Sequence, residues 1–228
     1  MKINFLTLFP RYYEPFVNES IVNLVKEKGL VEFNVVDFRD FSKDKHRKVD
    51  DEIYGGGHGL LLQVEPIDLA LESLENNGGY RILVSPQGKQ FTQEIAEELS
   101  KKDQITFIAG RYEGFDERVL NFVDIELSIG DYVLTGGELP SMVMADSIIR
   151  LLPGAIRDES HQNESFQGRG LLEHPQYTRP REYKGHLVPE VLLNGDHKKI
   201  KEWKEQASLE KTKKNRPDLY ERIIKNEK

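Results

Sequence analysis

The chain has 228 residues, 38% hydrophobic and 31% charged, and a formal net charge of −7. No apolar run approaches the ~20 residues that cross a bilayer, so the length allows one substantial core with at most a smaller appendage. The absence of cysteine excludes disulfides, thiolate zinc sites and cysteine nucleophiles, and the six histidines never fall at the i, i+4 spacing of a helical metal site. Met1-Lys2-Ile3-Asn4-Phe5 enters an apolar segment without a signal-peptide pattern, and the expected location is the cytoplasm.

Residues 2–9 and 31–38 read as strands flanking a helix over 15–28 that Gly29 stops, a βαβ beginning. Tyr54-Gly55-Gly56-Gly57-His58-Gly59 follows the basic run 43–48; flexible glycines beside cations could wrap a polynucleotide backbone or form an ordinary surface loop. A helix over 66–76 precedes Gly78-Gly79, then a strand over 82–84, a helix over 92–99, a strand over 105–109, a helix over 116–122 and a short apolar run at 125–127. The segment 138–152 is apolar nearly all round, which predicts a helix buried in the core or against a second subunit. The polar stretch 157–165 reads as a linker or loop. Helices over 189–193, 197–212 and 216–225 form a small second domain with Trp203 and Leu209 as core. Short apolar strands alternating with helices predict an α/β fold with a mainly parallel sheet.

Charge divides unevenly along this plan. Residues 165–228 hold 15 Lys and Arg against 10 Asp and Glu, or +5; the rest holds 17 against 29, or −12. A basic C-terminal part on an acidic body suits a polyanion held by one part for chemistry in the other, and equally a solvated charged helix.

Three segments stand where strands end: Ser85-Pro86-Gln87-Gly88, the loop 110–114 and the loop 129–137. In a parallel sheet such ends share one edge and can meet around a single ligand. Gly-x-Gly-x-x-Gly after the first strand and Gly-Lys-Ser/Thr are both missing, which argues against a nicotinamide cofactor and nucleoside triphosphate chemistry.

These segments, with Gly110-Arg111-Tyr112-Glu113-Gly114-Phe115-Asp116-Glu117-Arg118, the run 128–140 and the run 170–180, resemble the bacterial tRNA (guanine-N1)-methyltransferase family over nearly the whole chain. The resemblance implies a SPOUT-type fold, its sheet carrying a C-terminal trefoil knot, followed by a small all-α C-terminal domain. The implied division is a catalytic domain over 1–160, a flexible loop over 161–174 carrying the base, and a tRNA-binding domain over 175–228. It implies a homodimer with the active site at the subunit interface, across which the 138–152 helix would pack, and methyl transfer from S-adenosylmethionine to N1 of guanosine 37, 3′ of the tRNA anticodon.

Residue by residue, the resemblance makes Glu164, in Asn163-Glu164-Ser165-Phe166, the proton acceptor, where the family usually has Asp. It makes Arg150 the partner for charge on the guanine oxygen. Ser85, Pro86, Gln87, Gly88, Gly110, Tyr112, Glu113, Ile129, Gly130, Tyr132, Leu134, Gly136 and Gly137 become the cofactor pocket. The Lys and Arg of 46–48, with Arg179, Arg181, Lys198, Lys199 and Lys201, are the candidate phosphate contacts. The family's dependence on Mg2+ finds carboxylates here but no ligand spacing, and His58 stands where the family often has proline. Two other readings stay open: a different SPOUT-type RNA methyltransferase, and a catalytically weakened RNA-binding homologue.

Overall fold

A computed structural model describes residues 1–156, 164–166 and 168–226. It divides into two compact units, Met1–Ile156 and Arg157–Lys228.

In the first unit, β1 (Lys2–Thr7), β2 (Glu32–Asp37), β5 (Tyr80–Gln90), β6 (Gln104–Ala109) and β7 (Ile125–Ser128) form a five-stranded sheet in the order β2-β1-β6-β5-β7. Every pairing is parallel, as the alternating pattern predicts. Because successive side chains point to opposite faces, Ile3, Phe5, Ile82, Val84, Ile105 and Phe107 join one buried cluster and Leu6, Leu83 and Ile108 the other. The first cluster includes residues of α2 (Ser20–Glu27), α4 (Gln93–Leu99) and α5 (Glu138–Ile149); the second includes α3 (Val64–Ser73). Helices on both faces are what a parallel sheet requires.

Four local departures from the pattern have physical reasons. The helix expected over 15–28 is broken into α1 (Glu14–Asn18) and α2, because Glu19 is extended and Ser20 sits at φ 56°. The strand expected over 82–84 runs on to Gln90, with a register shift against β7 between Val84 and Lys89. Ser85 to Gly88 is therefore an irregularity inside a strand, where a Cβ on Gly88 would lie 2.5 Å from the Glu126 and Leu127 backbone. Residues Glu117–Phe122 form 3-10 turns rather than an α-helix. Finally β3 (Asp50–Glu52) and β4 (Leu60–Leu62) pair antiparallel, so the glycine cluster is the tip of a β-hairpin.

In the second unit, α6 (His197–Asn215) is capped by the Asp196 carboxylate, which accepts from Lys199 N at 3.2 Å, and α7 (Pro217–Asn226) starts on proline. Among its described residues the buried ones are Thr212, Leu219 and Ile223; Trp203 and Leu209, expected as core, are only partly covered. Trp203 lies against His174 and Tyr177, with ring centroids 6.3 and 6.4 Å away. The helix expected over 189–193 is a single 3-10 turn, Glu190–Leu192. A small hairpin, β8 (Glu182–Tyr183) with β9 (His186–Leu187), turns on Lys184-Gly185, both at positive φ. The polar stretch 157–165 lies outside the described residues except for Glu164 and Ser165. From there the chain is tied to its own helices: Glu173 N donates to Ser165 Oγ at 3.0 Å, Leu172 N to Thr212 Oγ1 at 2.9 Å, and Ser208 Oγ to Leu172 O.

Candidate active site

The parallel register places the ends of β6 and β7 beside the irregularity within β5, and these three segments enclose a cleft of about 230 Å3. Ser85, Pro86 and Gln87 line it from the β5 irregularity; Gly110, Tyr112 and Glu113 line it from the loop after β6; Ile129, Gly130, Tyr132, Leu134, Gly136 and Gly137 line it from the loop after β7. Of the pocket residues expected from sequence only Gly88 is missing from the lining, since its bare Cα serves the approach of β7.

Glycine allows these loops to close. Gly137 N donates to Gly110 O at 2.9 Å, and a Cβ on Gly137 would lie 2.8 Å from Ala109 Cα. A Cβ on Gly110 would collide with the Phe115 ring. The chain that follows β7 thus passes directly against the end of β6, at a distance only glycine permits. Leu83, Val84, Leu120 and Pro140 give the cleft an apolar floor, while Glu113, Asp116, Glu117 and Glu126 put carboxylates around it.

The expected pocket residues leave out an ion pair at the loops themselves. Arg111 Nε is 3.0 Å from Glu138 Oε2, off the line of a hydrogen bond, so the attraction is between charges. Glu138 Oε1 accepts from Thr7 Oγ1 at 2.9 Å, and Arg111 Nη1 donates to Thr135 O at 3.3 Å. The guanidinium also lies over the rings of Phe9 and Tyr12, 4.6 and 5.1 Å from their centroids. Burial works against the Arg111 charge, but Tyr12 and Glu138 outweigh it and hold its pKa above the ordinary value. One arginine therefore joins the segment after β1 to two of the three cleft loops. The signal in the sequence was a lone carboxylate heading an apolar helix, which needs a buried partner.

The other charged residues are placed as follows. Asp116 takes two hydrogen bonds from Arg118, Nε to Oδ1 at 2.9 Å and Nη2 to Oδ2 at 2.6 Å. Arg150 is the residue that ends α5 and is half-buried; Glu164 is half-buried in the second unit. His58 and the basic residues 46–48 are exposed at and before the hairpin. Arg179, Arg181, Lys198, Lys199 and Lys201 are exposed in the second unit. Among the described residues no group of three or more His, Cys, Asp or Glu could hold a metal ion, and no helix is long and apolar enough to cross a membrane.

The cleft is concave, lined by loop backbone, apolar side chains and four carboxylates, with Arg111 also in the lining, as small-molecule sites are built. Comparison with known proteins gives that shape a family. The family model described as tRNA (Guanine-1)-methyltransferase TrmD matches residues 1–222. Similar proteins named tRNA (guanine-N(1)-)-methyltransferase occur in Mycoplasmopsis synoviae strain 53, 74% identical over 100% of both chains, and in Mycoplasmopsis agalactiae, 70% identical over 98% of both. One from Mycoplasmopsis pulmonis is 62% identical over 100% of both.

Proposed function

The chain belongs to the tRNA (guanine-1)-methyltransferase family, and from that premise we propose that it methylates N1 of guanosine 37, immediately 3′ of a tRNA anticodon. The observation that carries this reading is one cleft closed by the segments 85–87, 110–114 and 129–137, where β6 and β7 end beside the irregularity in β5.

S-adenosylmethionine, when bound there, supplies an electrophilic methyl group on a sulfonium centre. The loop backbones and the apolar walls Ile129, Tyr132 and Leu134 would hold it, and the Glu113 carboxylate complements the positive charge. Guanine N1 carries a proton about as acidic as a free Tyr or Lys side chain and is a poor nucleophile at neutral pH. Glu164 would take that proton. Arg150 would hold the negative charge that grows on the neighbouring oxygen, since a planar guanidinium can donate two hydrogen bonds there. The Glu carboxylate is one methylene longer than the family's usual Asp, so its backbone would stand further from the base.

The rest of the assembly extends the same reading. Basic residues of 175–228 would grip phosphates of the tRNA. The close passage of the 129–137 loop against the end of β6 supports the knotted topology that the family implies. Leu139 and Val143, 53% and 50% exposed on the outer face of α5, favour a homodimer that buries them. We place the enzyme in the cytoplasm with its substrate. Among the described residues no group of three or more His, Cys, Asp or Glu offers a cage for Mg2+. The test is transfer of a labelled methyl group to unmodified tRNA, with the product base mapped.

A further inference from the structure

We propose that Tyr54, at the tip of the β3–β4 hairpin, is a stacking platform for an unpaired base of the substrate RNA beside the guanine that is methylated. The inference rests on the reading of the chain as a tRNA methyltransferase and adds a substrate-binding element to it.

Tyr54 is 98% exposed, the most exposed of the large hydrophobic side chains. A phenol ring left in water contributes nothing to the packing of its own unit. The tip that carries it is open: Gly55 and Gly56 are at positive φ with no atom within 4 Å of where a Cβ would stand. Flat aromatic faces are what single-stranded RNA loops stack on, and every base offers one.

The charge beside the ring suits the same ligand. The turn leading into β3 is folded by Asp44, whose Oδ1 accepts from His46 N at 2.8 Å and Lys48 N at 3.3 Å. Lys45, His46 and Lys48 are exposed on that turn. At 3.2–3.4 Å per residue the extended chain from Lys48 to Tyr54 spans at most about 20 Å, so cations and ring can meet one short stretch of RNA.

The hairpin is also fixed to the cleft. Glu113 N donates to Leu60 O at 3.2 Å, Leu62 N to Gly114 O at 2.9 Å and Asp116 N to Leu62 O at 2.9 Å. A Cβ on Gly59 would collide with the Glu113 side chain. Strand β4 is thus laddered onto the segment that lines the cofactor cleft, which keeps the hairpin carrying Tyr54 beside it.

Steady-state methylation of unmodified tRNA by the full chain tests this, with S-adenosylmethionine affinity measured separately by calorimetry. Tyr54→Ala should raise KM for tRNA about tenfold or more, the size expected for one lost base stack, with kcat falling less and cofactor affinity and melting temperature retained. Tyr54→Phe and Tyr54→Trp should restore KM, because each keeps a ring. A KM within twofold of the parent for Tyr54→Ala, or failure of both aromatic variants to restore it, overturns the proposal while leaving the methyltransferase reading intact. A parent enzyme that methylates no tRNA would remove the reading itself, and this inference with it.

Discussion

Arg111 Nε lies 3.0 Å from Glu138 Oε2, and the Glu138 side chain is 1% exposed against 17% for Arg111. The pair links the loop after β6 to the start of α5. Through Thr7, whose hydroxyl donates to Glu138, it also reaches the end of β1. Three segments that contribute to or support the cleft therefore share one electrostatic tie.

Removing one charge of this pair should be costly. Glu138→Gln keeps the shape and an acceptor for Thr7 but leaves the Arg111 cation without its partner in a largely buried place. Loss of one member of a buried pair costs about 3–5 kcal/mol, and the accessible part of Arg111 places the expected loss at the low end. Urea unfolding of the parent and the variant checks it; a change under about 0.5 kcal/mol would show that the pair contributes nothing net.

A second expectation concerns acid. The Arg118 hydrogen bonds hold the Asp116 carboxyl below its ordinary range, partial burial pulls the other way, and the Arg118 backbone N–H adds to the lowering. A carboxyl lowered in the folded state contributes stability that is complete above its unfolded pKa, near ~3.9, and is lost as pH falls through the lower folded value. Arg118→Gln should move the Asp116 titration upward toward the ordinary range when followed by NMR. An unchanged titration would mean that Arg118 is not the cause.

The outer face of α5 gives a third. If Leu139 and Val143 meet a second copy of the chain, Leu139→Glu with Val143→Glu should convert a dimer to monomers in light scattering, because each buries an unpaired charge. A parent that is monomeric, or a double variant that stays dimeric, would place the interface elsewhere.

Glu164 supplies the fourth. Glu164→Ala should lower kcat by about 10²–10⁴, the usual contribution of a positioned general base, with S-adenosylmethionine affinity unchanged in calorimetry. Glu164→Asp should recover most of the rate. Turnover by Glu164→Ala within threefold of the parent would give the proton to another group.

The sheet was legible because β1, β2 and β6 carry apolar runs whose bounds the structure repeats nearly residue for residue. The cleft was legible because its walls are contiguous motifs, Ser85 to Gln87 among them. What periodicity could not show was set by contacts distant in sequence. Gly88 belongs to a strand because β7 pairs beside it, and Ser20 breaks a helix that its apolar spacing favoured. The β3–β4 hairpin was hidden because Asp50–Glu52 is acidic, with Asp51 and Glu52 exposed, and only Leu60–Leu62 is apolar. Arg111 and Glu138 stand in motifs read from the sequence, yet their partnership spans the fold: a carboxylate heading an apolar helix calls for a partner without naming it.

Methylation of guanine N1 in tRNA is read most directly from the product base. Unmodified tRNA with guanosine at position 37 preceded by guanosine, incubated with the enzyme and methyl-labelled S-adenosylmethionine, should yield 1-methylguanosine at position 37 on nuclease mapping by mass spectrometry. Label on a ribose, label on another base, or no transfer would rule out methylation of guanine N1 by this chain.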